Sequence, residues 1–303
     1  MDRHMEKIVK KLPAFLQKEI EQLPSGVVDR LEEIRLKTEA PSLLIGGGRE
    51  RQLDDGKKIT PEVLEEILNR LLDYSYYAHE EELANGYITI EGGHRVGICG
   101  RVTLEQGRVH LIKDISSLNI RRSRQIIGAS DPILGAVCTA GSGELHNTLI
   151  ISPPKCGKTT ILRDLARSLS NRGFRVGVCD ERSEIAGCYN GKTSYDLGMR
   201  TDVLDGCPKA EGIIMLIRAM APDVIITDEI GRREDVRAVE AALCAGVKTI
   251  TSIHGNSYED IAGSAVGDLI RNHVFETLIF LSANPKTGTV RKVMKLAGMK
   301  GGA

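Results

Sequence analysis

Apolar residues recur at helical spacing at the start of the chain: Ile8, Leu12, Phe15, Leu16 and Ile20, with Pro13 as an interruption. The pattern predicts that residues 1–40 are mostly helix. Ser42–Ile45 reads as a short strand. At Thr60-Pro61-Glu62 three helix-start signals coincide: Thr60 as N-cap, Pro61 at the first helical position and Glu62 as a favourable charge in the first turn. Val63 stands where a capping box would place Glu, so the box is half made. The helix continues through Ile67 and Leu71. The texture then changes. Tyr87–Thr103 and Arg108–Ile120 are alternating or β-branched runs, broken at Gly92-Gly93 and Gln106-Gly107, which are hairpin signals. This half reads as α+β, helices followed by an antiparallel sheet.

From about residue 146 strand and helix patterns alternate. The strands are expected at Thr148–Ile151, Arg175–Cys179, Val224–Thr227, Thr249–Ile253 and Thr277–Leu281. The helices between them include Lys158–Ser170, Ala210–Met220 and Arg233–Ala245. Such alternation implies a parallel sheet with helices on both faces. A closing hairpin is expected around Asn284–Gly288, followed by Val290–Leu296, and the tail Ala297–Ala303 is expected to be loose. The length, 303 residues, allows about two domains at ~150 residues each. Gly, Ala and Ser accumulate between Ile126 and Glu144, so the division is placed at an α+β domain over 1–130 and an α/β domain over 131–303.

With 41% hydrophobic and 27% charged residues the chain can build a sizeable core, which excludes wholesale disorder. Its 41 basic and 41 acidic side chains balance, which argues against coating nucleic acid by bulk charge. No apolar run is long enough to span a bilayer, and Met1–Lys11 is charged, without the apolar core of a signal peptide. The seven cysteines (Cys99, Cys138, Cys156, Cys179, Cys188, Cys207 and Cys244) form no CxxC pair and read as reduced thiols of a cytosolic protein.

The sharpest chemistry is at Ser152-Pro153-Pro154-Lys155-Cys156-Gly157-Lys158-Thr159, with Thr160 next. The segment follows an apolar strand and opens an amphipathic helix whose buried stripe is Ile161, Leu162, Leu165 and Leu169. That context is what a Walker A phosphate loop requires. Backbone N–H groups and a helix N-terminus hold the phosphates of ATP, Lys158 reaches the β/γ-phosphates, and the Thr159 hydroxyl joins the shell of Mg2+. Ser152 replaces the usual first glycine and restricts the first turn. The competing reading is a chance Gly-Lys-Thr at a helix start.

Pro222-Asp223-Val224-Ile225-Ile226-Thr227-Asp228-Glu229 is an apolar strand ending in two carboxylates, a Walker B pattern. Asp228 would serve the Mg2+ shell and Glu229 would orient and activate the attacking water. Otherwise the pair merely supplies negative charge to the next helix N-terminus. Two more strand ends carry polar groups. Cys179-Asp180-Glu181-Arg182-Ser183-Glu184 offers Asp180 and Glu184 to position water or metal, and Val247–Ile253 ends at His254, able to sense the γ-phosphate. A solvated acidic loop and a surface histidine are the plain alternatives.

The order of phosphate loop, acidic box, Walker B strand and Gly246–Asn256 histidine box resembles the secretion ATPase superfamily, the motors of type II and type IV secretion and pilus assembly. Longer strings, Gly86–Gly97, Ser117–Arg121 and Asp180–Gly187, resemble the stage III AA sporulation family of endospore-forming bacteria over nearly the whole chain. The resemblance implies a RecA-like P-loop ATPase core behind a smaller α+β N-terminal domain. It further implies a homohexameric ring in the mother-cell cytoplasm, docked on membrane-embedded sporulation channel proteins that join mother cell to forespore. Ring ATPases complete their sites with an arginine from another domain or subunit. The candidates in order are Arg101, Arg121 and Arg95, with Arg122, Arg124, Arg232 and Arg233 behind them, each weighed against an ordinary solvated arginine. Lys7, Lys10, Lys11 and Lys18 flank the first apolar stripe, which can serve a partner helix or its own domain. Two other functions stand beside the motor. One is a nucleic-acid-dependent ATPase, for which 4% aromatic residues and no Trp leave few stacking platforms. The other is a nucleotide-gated scaffold with little turnover.

Overall fold

The computed structural model describes residues 3–53 and 58–296. The expected loose tail, 297–303, lies outside them. Two compact units emerge: Met1–Arg124 with Gly187–Ser194, and Gln125–Ala186 with Tyr195–Ala303.

In the first unit the chain runs through α1 (Arg3–Lys11), α2 (Ala14–Glu21), α3 (Ser25–Val28), β1 (Leu31–Lys37), β2 (Leu43–Gly46), β3 (Arg49–Gln52) and α4 (Pro61–Leu71). A 3-10 turn, α5 (Glu80–Ala84), β4 (Tyr87–Ile90), β5 (His94–Glu105) and β6 (Arg108–Arg121) follow. The six strands form an antiparallel sheet in the order β3-β2-β1-β6-β5-β4. Pro13 separates α1 from α2, and Ile8, Leu12, Leu16 and Ile20 are buried in the core of their own unit. Thr60 caps α4 as expected, its Oγ1 accepting from Val63 N at 3.4 Å. Gln106 and Gly107 both take left-handed backbone, φ 49° and 78°, which turns β5 into β6.

One expectation fails here. Residues 31–37 are not helix but β1, between β2 and β6 in the sheet. Leu31 and Ile34 are three apart, which suits a helix, but Ile34 and Leu36 alternate inward and pair with Ile120 and Leu118. Two flanking strands offer this segment more burial and hydrogen bonding than an isolated turn of helix does.

The second unit contains α6 (Asp131–Val137), β7 (Thr148–Ser152), α7 (Lys158–Asn171), β8 (Val176–Asp180), β9 (Thr201–Asp205), α8 (Lys209–Met220) and β10 (Val224–Thr227). It continues with α9 (Arg233–Cys244), β11 (Lys248–His254), α10 (Tyr258–Ala262), α11 (Ala265–Arg271), β12 (Thr277–Ser282) and β13 (Thr289–Lys295). The sheet order is β13-β12-β7-β11-β10-β8-β9. Neighbours are parallel except β13, which returns antiparallel on β12. The fold class is α/β, with a mixed, mainly parallel sheet and an antiparallel N-terminal domain. Strands β7, β10 and β8 are buried along their whole length, as near-continuous apolar runs on a two-sided sheet must be. The edge strand β9 and the helices α6, α10 and α11 were not anticipated. Because β7, β11, β10 and β8 are parallel neighbours, their carboxyl ends share one edge, and the candidate chemistry collects there.

Candidate functional site

The Ser152–Thr159 loop leaves β7 and enters α7. Its left-handed positions are Lys155, φ 61°, and Gly157, φ 85°. A side chain at 157 would meet Thr287 Cγ2 at 3.2 Å and Gly288 N at 3.4 Å, so glycine is required there by conformation and by space. Ser152 needs no special backbone. It closes β7, fully buried, with its hydroxyl donating to Pro153 O at 2.9 Å. The restriction expected at 152 therefore falls on Lys155, which holds a conformation that L-residues with side chains rarely adopt. The tip of the β12–β13 hairpin braces the loop, Gly288 N donating to Cys156 O at 3.1 Å.

Lys158 opens α7, and its side chain is 6% exposed. Nζ lies 3.4 Å from both Ser152 O and Pro153 O, 3.0 Å from His254 Nδ1 and 3.7 Å from Glu229 Oε1. Burial lowers its pKa, and the nearby Glu229 carboxylate opposes that shift. His254 pairs with Ser152 in register across β11 and β7, and its Nε2 is 2.7 Å from Glu229 Oε1. With Lys158 donating to Nδ1, Nε2 carries the ring proton and donates to Glu229. Glu229 N is in turn fixed by Ser252 Oγ at 3.2 Å. Lysine, histidine and glutamate thus form a closed polar triangle between the start of α7 and the ends of β10 and β11. Thr159 and Thr160 follow Lys158 in the first turn of α7, both half-buried. Pro154 and Lys155 are exposed, Pro153 is half-buried and Cys156 is buried.

Asp228 ends β10 at 4% exposure. Burial raises its pKa, opposed by Lys209 and reinforced by Glu184 and Glu229. Its Oδ1 faces Lys209 Nζ at 3.3 Å yet makes no hydrogen bond. An under-satisfied buried carboxylate oxygen beside the phosphate loop suits a hard divalent cation. Among the described residues no group of three or more His, Cys, Asp or Glu can hold a metal alone. A cation here would draw the rest of its shell from water or phosphate oxygens, with Thr159 and Asp228 as the residues that would hold it.

Asp180 is placed at the strand end but with a different part from the one expected. Its Oδ1 accepts from Glu184 N at 2.9 Å, and Oδ2 accepts from Ile185 N and Ala186 N at 2.9 and 2.8 Å. Burial pushes its pKa up to about 7, against those N–H donors. Both oxygens are committed to building the turn that carries Glu184. That turn is also held from α7 by a residue the sequence pattern did not single out. Arg163, 3% exposed, donates from Nε to Ile185 O at 2.7 Å and from Nη2 to Glu184 O at 2.6 Å, and stacks 3.8 Å over Tyr195. Lys209 was missed as well. Its signal was a lysine directly after a proline at a helix start, against the helix dipole.

Three arginine candidates of the first unit lie on its sheet. Arg101 pairs with Asp114 at 2.8 Å, Arg95 stacks 3.7 Å over Tyr87, and Arg121 is exposed on β6 opposite Arg95 and Glu33. Arg122 donates to the carbonyls of Val28, Asp29 and Leu31, and Arg124 to those of Asp29 and Leu31, so both clamp the entry to β1. In the second unit Arg232 forms the N-cap of α9, its N–H donating to Asp235 at 2.9 Å.

The family described as sporulation stage III, protein AA, matches residues 2–300. The chain belongs to this family. Stage III sporulation protein AA of Bacillus subtilis is 44% identical over 296 residues, covering 95% of this chain and 94% of that one. Among solved structures, the Legionella pneumophila ATPase DotB aligns with a TM-score of 0.55 at 16% identity, covering 89% of this chain and 76% of DotB. The pilus retraction motor PilT with bound ADP aligns with a TM-score of 0.57 at 15% identity, covering 88% and 79%. At these identities the likeness is one of fold alone, shared with DotB and PilT. Among the described residues no helix is long and apolar enough to cross a membrane.

Proposed function

We propose that the second unit binds ATP with Mg2+ and hydrolyses it, as the motor that energises or gates the mother cell–forespore channel. The observation that carries this reading is the meeting of Lys158, His254 and Glu229 within 2.7–3.7 Å of one another at the mouth of the phosphate loop. Lys158 exchanges its loop carbonyls for the β/γ-phosphates. Gly157 N–H and the α7 N-terminus bind phosphate oxygen. Thr159 and Asp228 hold Mg2+, which supplies charge neutralisation on the transferring phosphoryl group. Glu229, released from Lys158, orients water and accepts its proton, while His254 fixes the Glu229 carboxylate through Nε2–H and senses the γ-phosphate through Lys158, which leaves Nδ1 for the phosphate. Asp180 and Glu184 shape the neighbouring wall. An arginine, first Arg101, then Arg121 and Arg95, completes the site in a homohexameric ring in the cytoplasm, docked on membrane-embedded sporulation channel proteins.

The test is phosphate release by the purified chain. Glu229→Gln is expected to keep ATP binding and slow release by roughly 10²–10⁴-fold, and Lys158→Ala to lose binding. Specific activity that rises with protein concentration supports sharing of the site between subunits. Equal turnover in Glu229→Gln and parent removes Glu229 as the base. Strong stimulation by DNA or RNA favours a nucleic-acid-dependent ATPase instead, and tight ATP binding with no release favours a nucleotide-gated scaffold.

A further inference from the structure

Lys209 stands out among the charged groups of the second unit because nothing about its local position favours it. It is the first residue of α8, behind Pro208, which offers no side-chain cap. An ammonium there meets the positive end of the helix dipole. It is also 6% exposed, so it has lost most of its water. What holds it is a pair of carboxylates from two other elements. Glu181, just beyond β8, receives it at 2.8 Å, and Asp228, at the end of β10, lies 3.3 Å away. The two contacts are unequal. That to Glu181 is a hydrogen bond, whereas Asp228 Oδ1 has none. One positive charge thus serves two acids and is bonded to only one of them. Asp228 Oδ1 is neutralised at a distance and remains available to a stronger partner.

Taking the proposed Mg2+ role of Asp228 as its basis, we propose that Lys209 is a positioning residue for the cation site. Its ammonium stands in for the divalent cation while the site is empty, and it retreats to Glu181 when the cation arrives with nucleotide. The pair of acids with a single ammonium carries a net negative charge, which suits a dication and repels free phosphate. Without Lys209, Asp228 would be a buried carboxylate facing Glu184 and Glu229 with only the more distant charge of Lys158 to offset them, a costly arrangement. Lys209 therefore keeps the metal-free site folded and sets how readily metal binds without nucleotide.

The test uses the full-length chain, free of nucleotide, with Mn2+ as probe, read by electron paramagnetic resonance and by thermal melting. Lys209→Met is expected to lower the metal-free melting temperature, to bind Mn2+ about tenfold or more tighter than the parent, and to regain its melting temperature on adding Mn2+ or Mg2+. Glu181→Gln is expected to act with the opposite sign on metal. It drives the ammonium fully onto Asp228, so Mn2+ binding weakens while the chain stays folded. Lys209→Arg, which keeps the charge, is expected to restore parental Mn2+ affinity. A Lys209→Met chain that melts lower but is not rescued by metal marks a purely structural lysine and overturns the proposal. So does unchanged Mn2+ binding in both Lys209→Met and Glu181→Gln. Should Lys209→Met fail to fold, the sign of the Glu181→Gln effect decides alone. ATP binding by the parent in EDTA is measured alongside, so that failure of the phosphate-loop reading is seen separately from failure of this one.

Discussion

Two buried acids in the second unit, Asp164 and Asp228, are treated in opposite ways. Asp164, in the middle of α7, accepts five hydrogen bonds: from Gly128 N at 3.2 Å, Ser130 N at 2.8 Å, Ser130 Oγ at 2.6 Å, and Arg167 Nε and Nη2 at 2.9 and 2.7 Å. Burial alone would push its pKa up, but the Ser130 hydroxyl and N–H, Arg167 and Gly128 outweigh burial and pull it down. Asp228 is as deeply placed, has one misaligned lysine beside Oδ1, and has its pKa raised by burial. The first acid is finished by the protein and holds α7 to the 128–130 turn. The second is left unfinished. Among the described residues other buried oxygens also lack a hydrogen bond, Thr249 Oγ1 and Thr251 Oγ1 in the same unit, but these are neutral hydroxyls, whereas the unfinished Asp228 carboxylate bears charge and marks where a ligand belongs.

The contrast can be broken by neutralising each acid. Asp164→Asn should be the most damaging to stability, by about 3 kcal/mol, because it strands Arg167 and turns an amide N–H2 toward backbone donors. Denaturant unfolding checks it. The parent's own pH dependence has the matching sign. The Asp164 pKa is lower in the fold than the unfolded value of 3.8, so its stabilisation is complete above that value and fades as pH falls through the folded one. Acid titration of the parent should show this loss, and Asp164→Asn should lack it. Asp228→Asn should cost less than about 1 kcal/mol of stability, since Lys209 keeps Glu181 and the charge removed is one that burial disfavours and no hydrogen bond to Oδ1 holds. The same change should abolish the Mg2+ dependence of ATP binding, read by titration with and without EDTA. Equal stability losses in the two variants would erase the distinction. The smallest effect is expected at Lys155. Lys155→Gly relieves a left-handed backbone but adds freedom to the unfolded chain, for a net change within about 0.5 kcal/mol. A large loss would mean that the Lys155 side chain, not its backbone, matters to the loop.

Much of the site was legible because its parts are local. An apolar strand followed by Gly157-Lys158-Thr159, and another ended by Asp228-Glu229, announce themselves within eight or so residues, and parallel pairing brings their ends together. His254 followed from the same logic. The misses were of a different kind. Residues 31–37 carry a spacing that serves helix or strand, and only the neighbours β2 and β6 decide between them. Asp180 looked like a free acid at a strand end, yet three backbone N–H groups from its own turn occupy it. Lys209 and Arg163 depend on partners distant in sequence, and nothing beside them names those partners. No local pattern marks Gly187–Ser194 as part of the first unit, where Tyr189 donates to Asp73 at 2.9 Å.

The central claim is that the loop at 157–159 and the carboxylates at 228 and 229 grip the same triphosphate with its cation. Calorimetric titration of the purified chain with ATP, in Mg2+ and in EDTA, addresses it directly. Saturable binding that tightens about tenfold or more with Mg2+, about 1.4 kcal/mol, and that vanishes in Lys158→Ala, is the expected result. Absence of heat under both conditions, or an affinity indifferent to Mg2+ and to Lys158, would contradict it.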